Sequence, residues 1–203
     1  MWDVLGSAAG TFLALFPVTD PLGAVPIFYG LTSAASAAHR QRQARLTTLH
    51  VIWLLALFLV AGRLLLEFFG ISFAVLQIAG GLLVAHTGWQ MVSAHEDEEV
   101  VAQQSAGADI AFAPMAMPLV SGPGAIGVVI GLSGKATGWT DYLGSLIGIG
   151  LVGGVLYLSL LLGEPVLRWL GRTGTRAFNQ ILGFLIVAIA LQLMANGVVE
   201  LLK

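Results

Sequence analysis

Apolar residues fall in six long runs along this chain, at positions 4–31, 46–69, 71–93, 110–134, 139–163 and 177–202. Each run is long enough for a helix to cross about 30 Å of hydrocarbon, a distance that takes roughly 20 residues. Polar stretches separate them. They are His39-Arg40-Gln41-Arg42-Gln43-Ala44-Arg45, a turn at Gly70, an acidic linker over 94–109 that holds His95-Glu96-Asp97-Glu98-Glu99, a turn at Lys135, and a loop over 164–176. Backbone in lipid must satisfy its own hydrogen bonds, so only helices and closed barrels span a bilayer. A barrel strand alternates apolar and polar residues over about ten positions, and these runs do not alternate. The pattern predicts an all-α integral membrane protein of six transmembrane helices.

Composition agrees and removes other classes. Of 203 residues, 57% are hydrophobic and only 10% charged, where a soluble domain carries about 25% charged residues. With a mean hydropathy of +0.90, most of this surface does not suit water, which excludes a disordered, coiled-coil or ordinary cytosolic chain. A formal net charge of −2 gives no basic footprint for nucleic acid. There is no cysteine, so thiolate metal sites and disulfide frameworks are excluded. The first run follows Met1-Trp2-Asp3, without the basic start of a signal peptide, and is expected to be retained.

Six crossings put both termini on one side. Loops one, three and five then hold Arg40, Arg42, Arg45, Arg168, Arg172 and Arg176, six of the nine basic residues; Arg63, Lys135 and Lys203 lie opposite. The positive-inside bias therefore predicts cytoplasmic odd loops and external termini.

The chain also repeats itself. Gln77-Ile78-Ala79-Gly80 in the third run matches Gln180-Ile181-Leu182-Gly183 in the sixth. Phe16-Pro17-Val18-Thr19-Asp20-Pro21-Leu22-Gly23-Ala24 in the first matches Met117-Pro118-Leu119-Val120-Ser121-Gly122-Pro123-Gly124-Ala125 in the fourth, with one gap. A unit of three crossings repeated once has its copies inverted across the membrane, a build that recurs in secondary transporters. The expected organisation is a first repeat at 1–93, the acidic cytoplasmic linker at 94–109 and a second, inverted repeat at 110–203.

Each repeat opens with a run that cannot be one unbroken helix. Pro17, Pro21 and Gly23 interrupt the first; Pro118, Gly122, Pro123 and Gly124 interrupt the fourth. Proline removes an amide donor and clashes with the preceding turn, and in lipid such breaks persist where protein buries them or they line a wet cavity. Thr19 or Asp20 can cap a restarted helix that has Pro21 at its first position, and Ser121 or Gly122 can do so before Pro123. A restarted helix aims N–H groups and a positive dipole end at the break, which suits a carboxylate. The carbonyls that end the first half-helices, around Val18 and Val120, suit a cation or an ammonium. Thr19, Asp20, Pro21, Gly23, Ser121, Gly122, Pro123 and Gly124 are thus the candidate substrate-binding residues. The bland alternative is a pair of proline kinks that serve packing alone.

Asp20 is the one acid deep within a run, and an intramembrane carboxylate marks a functional site by default. It can carry a proton, bind Na⁺ or an ammonium group, or only cap the following helix. Gln77, His86, Gln180, Gln192 and Asn196 are candidates for an outer shell or ion pathway. A lone helix histidine such as His86 is more often a hydrogen-bonded packing residue, and neither it nor His50 has partners at metal spacing, so no metal is expected. Arg63 and Glu67, four apart, read as an interfacial ion pair. Gly144-x-x-x-Gly148 and Gly150-x-x-x-Gly154 read as close-packing motifs, which makes the fifth span scaffold.

These stretches resemble the MarC family, also called the neutral amino acid transporter (NAAT) family of six-span bacterial and archaeal membrane proteins. The resemblance rests on Asp20-Pro21-Leu22-Gly23-Ala24-Val25-Pro26-Ile27-Phe28, Phe69-Gly70-Ile71-Ser72, Ile78-Ala79-Gly80-Gly81, Ile110 to Pro118, Gly122-Pro123-Gly124-Ala125-Ile126, and Gln192 followed by Asn196-Gly197. It implies an inner-membrane protein, some of whose kin are linked to uptake or export of small neutral amino acids such as glycine and alanine. In the family pattern Asn also stands at the position of Asp20, and Arg is common at those of Gln77 and Gln180.

The expected function is a secondary transporter of small neutral amino acids, coupled to H⁺ or Na⁺ and working by alternating access around the two breaks. No Walker motif provides for ATP, and no cofactor is expected. An enzyme is not expected, because no His or Lys is placed to activate Ser121. The alternatives are a non-transporting membrane partner or regulator that docks through its charged loops, and a carrier of another small solute. Membrane lipid surrounds the chain in either case, and the Gly-rich faces suit internal packing or a homo-oligomer.

Overall fold

The computed structural model describes residues 2–93 and 109–202, with the backbone alone at 2–3 and at most positions of 164–179. The acidic run 95–99 lies outside the described residues. Helices α1 (Trp2–Thr19) and α2 (Ala24–Leu31) are followed by α3 (Ala37–Phe69) and α4 (Phe73–Ser93). A loosely wound segment, Ala111–Val120, then leads into α5 (Pro123–Lys135) and α6 (Trp139–Leu201). No strand occurs among the described residues.

Two polar stretches expected to be loops are helical instead. Helix α3 starts before the basic stretch, where Ser36 in extended conformation accepts the His39 N–H at 3.2 Å, a side-chain cap for a free amide. It ends at Gly70, whose φ of 63° lets Ile71 N–H reach back to Leu66 O at 2.9 Å, the left-handed stop that glycine permits. At 33 residues α3 is about 50 Å long, more than a bilayer's hydrocarbon. Arg40, Arg42 and Arg45 therefore ride on its first turns. The stretch 164–176 is likewise wound into α6, and Gly171 (φ 65°, ψ 178°) is its one non-helical residue. A straight helix of 63 residues would run about 95 Å; Gly171 divides it into two arms.

Three helices are long and apolar enough to cross a membrane alone: Ala37–Phe69, Trp139–Gly163 and Gln180–Leu201. Two bent pairs pass the same test together, Val4–Thr19 with Ala24–Leu31 at 54° and Ala111–Val120 with Pro123–Lys135 at 67°. Three to five candidate spans result. Helix α4, expected as the third span, is long enough at 21 residues, about 32 Å, but Gln77, His86 and Gln90 dilute its apolar character.

Apolar side chains lie on the inside and on the outside. Leu15, Phe28, Leu55, Leu59, Leu156, Leu160 and Ile186 are fully buried, while Trp53 (72% exposed), Leu64 and Phe184 point outward. Hydrophobic patches of that extent mark a surface that meets something other than water.

The helices pair with definite directions. Helix α1 runs parallel to the first arm of α6: Ser7 Oγ donates to Asp141 Oδ1 at 3.0 Å and Thr11 Oγ1 to Ser145 Oγ at 3.1 Å. Gly144 and Gly148 make this approach possible, since a Cβ on either would meet the backbone oxygen of Val4 or Ala8. The expected packing role thus holds for Gly144-x-x-x-Gly148. It fails for Gly150 and Gly154, which face open space; Gly153 is the packed residue there, against Ile52. Helix α3 runs parallel to the wound segment and α5, from Gln43 beside Ile110 to Gly62 beside Ile130. Helix α4 runs antiparallel to the second arm of α6, where Gly88 faces Gly183, Gly81 faces Ala190 and Ala74 faces Gly197. Small residues seven apart on both helices form this seam.

Candidate functional site

The first break centres on Asp20. Thr19 is buried, and its hydroxyl turns back to Leu15 O and Phe16 O at 2.9 and 3.3 Å, so it does not cap α2. Nor is Pro21 the first residue of α2, which begins at Ala24 behind Gly23 with no side-chain hydrogen bond at that cap; Asp20 instead closes the turn that leads into the helix. Its φ of 39° is a left-handed value unusual outside glycine. From there its Oδ1 accepts the Gly23 N–H at 3.0 Å and its carbonyl accepts the Ala24 N–H at 3.1 Å. Pro21, which has no N–H to satisfy, lies buried in the turn. A Cβ on Gly23 would collide with the Asp20 carboxylate; the glycine is required by that turn.

The second break is built differently. The wound segment holds extended residues at Ala113 and Met117, each directly before a proline, the conformation that proline imposes on its predecessor. The sequence reading located a break at Pro118–Gly124 and overlooked this earlier one, although Pro114 was its signal. Ser121 follows with a fully buried side chain whose hydroxyl has no hydrogen-bond partner. Gly122 caps α5 in extended conformation without a side-chain hydrogen bond, and Pro123 opens the helix. A Cβ on Gly122 would sit 2.7 Å from Pro118 O.

The two breaks meet. A Cβ on Gly124 would lie 3.4 Å from a Val18 methyl and 2.9 Å from a Val84 methyl of α4, so residues two before Asp20 and three after Ser121 are in contact. The glycines at the breaks therefore admit neighbouring protein atoms.

Of the outer candidates, only Gln77 is buried. Its Oε1 has no partner, and its Cβ lies 3.1 Å from a Cβ placed on Gly197. His86 is exposed and shares a 3.1 Å hydrogen bond with Gln90 one turn on. Gln192 donates to Asn196 at 2.9 Å, again on an exposed face. Gln180 is partly exposed. Arg63 and Glu67 form the expected exposed pair at 3.1 Å.

Helix α3 carries a polar face of which the sequence names only His50 as a candidate. Gln43, 1% exposed, accepts the Ile110 N–H at 3.2 Å and so fixes the start of the wound segment. Buried Thr47 and half-buried His50 continue the same face, and the His50 ring stands edge-on to Phe112 at 5.5 Å. The i, i+4, i+7 spacing is visible in the sequence, but it straddles the boundary between the polar stretch 39–45, which holds Gln43, and the second apolar run, which holds Thr47 and His50. No cluster of metal-ligating side chains occurs among the described residues.

Bent, paired helices with an apolar exterior and two breaks that meet define a helical membrane protein built around interrupted spans. The profile described as MarC family integral membrane protein matches residues 6–202. The chain belongs to the MarC family. It is 32% identical over 218 residues to the UPF0056 inner membrane protein MarC of Citrobacter koseri and to that of Salmonella typhimurium, covering 100% of this chain and 99% of each relative. With the protein of the same name from Escherichia coli O1:K1 it shares 31% over 220 residues, at the same coverage. No solved structure matches significantly.

Proposed function

We propose that the protein is a secondary transporter of small neutral amino acids of the glycine and alanine class, seated in the inner membrane and coupled to H⁺ or Na⁺. The contact of Val18 with Gly124 is the observation on which this rests. It joins two broken helices at one buried place, where backbone polar groups freed by proline need a polar occupant. A small zwitterion matches a place that offers a carboxylate, a hydroxyl and a helix N-terminus within packed apolar walls. The relatives' names place them in the inner membrane, and membership of the family favours the same location here.

Six crossings in two inverted halves accompany this reading. Pairing of α1 with the first arm of α6, and of α3 with the wound segment and α5, is parallel in both cases. A two-fold axis in the membrane plane would exchange those two pairs. Alternating access would then be a rocking of the halves around the joined breaks.

Counterflow in proteoliposomes tests the proposal. Vesicles preloaded with unlabelled alanine or glycine are expected to accumulate labelled substrate without an imposed gradient. Folded protein that fails to do so across a panel of small amino acids would overturn the amino-acid reading. A carrier of another small solute or a non-transporting partner would take its place.

A further inference from the structure

The two breaks are unequal in charge, and the inequality gives the site a direction. At the first, a carboxylate of the chain itself stands in the turn that leads into α2, where Asp20 Oδ1 takes the N–H of Gly23, the residue directly before the helix. The second oxygen of Asp20 accepts no hydrogen bond from the described residues. At the second, α5 begins without any side-chain cap. Directly before its cap residue stands Ser121, fully buried, its hydroxyl without a partner. One break therefore presents an anion with acceptor capacity to spare. The other presents a helix N-terminus of 13 residues whose first free amides, with a hydroxyl donor beside them, lack an anion.

Buried donors without acceptors are costly, and so is a half-buried carboxylate held within a span without a cation. An α-amino acid cancels both deficits, because its ammonium and carboxylate are separated by a single carbon. We infer that the substrate binds in one orientation, its carboxylate at the N-terminus of α5 with the Ser121 hydroxyl and its ammonium at Asp20. The inference rests on the transporter reading and assigns which break recognises which charge. Asp20 is then the residue that selects for an amino group, and Ser121 with the Gly124 and Ala125 amides selects for a carboxylate.

Competition against labelled alanine in proteoliposomes tests it, with alaninamide (no carboxylate) and propionate (no ammonium) as probes. The wild type should be inhibited by alanine and poorly by either probe. Ser121→Ala should raise the KM for alanine by about ten- to a hundredfold, the effect of one hydrogen bond to a charged group, and should narrow the gap between alanine and alaninamide. Ser121→Thr, which keeps the hydroxyl, should restore both. Asp20→Asn, which keeps the acceptor of the turn, should narrow the gap between alanine and propionate only. Exchanged effects, or unchanged ratios in folded variants of an active transporter, would overturn the orientation. A wild type that carries no small amino acid would instead remove the transporter reading and this inference with it.

Discussion

Gly88 and Gly183 approach so closely that a Cβ on either would lie 2.8 or 2.9 Å from the other's carbonyl oxygen. The contact anchors the antiparallel seam of α4 with the second arm of α6, in which lipid supplies no hydrophobic drive and close van der Waals packing must hold the pair.

Gly183→Val is therefore expected to lower the thermal midpoint in detergent sharply, because backbone must move to admit the side chain. Gly150→Ala and Gly154→Ala, which face open space, should leave it unchanged or raise it by the helix preference of alanine, about 1 kcal/mol. Equal losses at all three positions would contradict the seam.

Gln43→Leu should destabilise the protein by about 1–3 kcal/mol, since it leaves the buried Ile110 N–H without an acceptor. Gln43→Glu retains an acceptor oxygen and should recover part of the loss. Differential denaturation of the three proteins reads the effect, and identical Leu and Glu midpoints would dismiss the hydrogen bond.

At Asp20 the hydrogen bond to Gly23 and the left-handed φ make separate demands. Asp20→Asn satisfies both and should cost little. Asp20→Val loses the bond, worth about 1 kcal/mol, and adds about 1–2 kcal/mol for a β-branched residue at positive φ. Thermal shifts of the two variants should differ accordingly, whatever their transport.

A double-mutant cycle on Ser7→Ala and Thr11→Val with Asp141→Ala and Ser145→Ala should return a coupling of about 0.6 kcal/mol per bond, typical of membrane helices. Coupling between the mismatched pairs, Ser7 with Ser145 and Thr11 with Asp141, should be near zero if α1 and α6 keep this register.

The cysteine-free sequence permits a direct count of crossings. Single cysteines at Ser36, Gly70 and Lys135 should be labelled by impermeant reagents from alternate sides: Gly70 and Lys135 from one, Ser36 and the 94–108 linker from the other. Labelling of Gly70 and the linker from the same side would show that α4 does not cross.

Much of this architecture was legible because proline and glycine act locally. Pro123 announced the second restart and Pro21 the turn before the first, three residues ahead of α2, and the apolar runs announced the helices. The helical 39–45 and 164–176 stretches were misread because charge suggests exposure, and an exposed helix can be as charged as a loop. Gly144-x-x-x-Gly148 and Gly150-x-x-x-Gly154 carry the same spacing, yet only the rotation of α6 against α1 decides which one is used. Thr19 and Asp20 were equal candidates as caps, until the backbone turned one hydroxyl inward and set the other side chain in the turn before α2. The partnerless hydroxyl of Ser121 is a tertiary property that no residue string displays.

The arms of α6 on either side of Gly171 lean on different parts of the molecule, the first on α1 and α3 and the second on α4. Cutting the chain between residues 93 and 110 would thus yield two fragments, each missing the surface against which its own helices pack. Neither fragment is a freestanding body; they become a protein only as a pair.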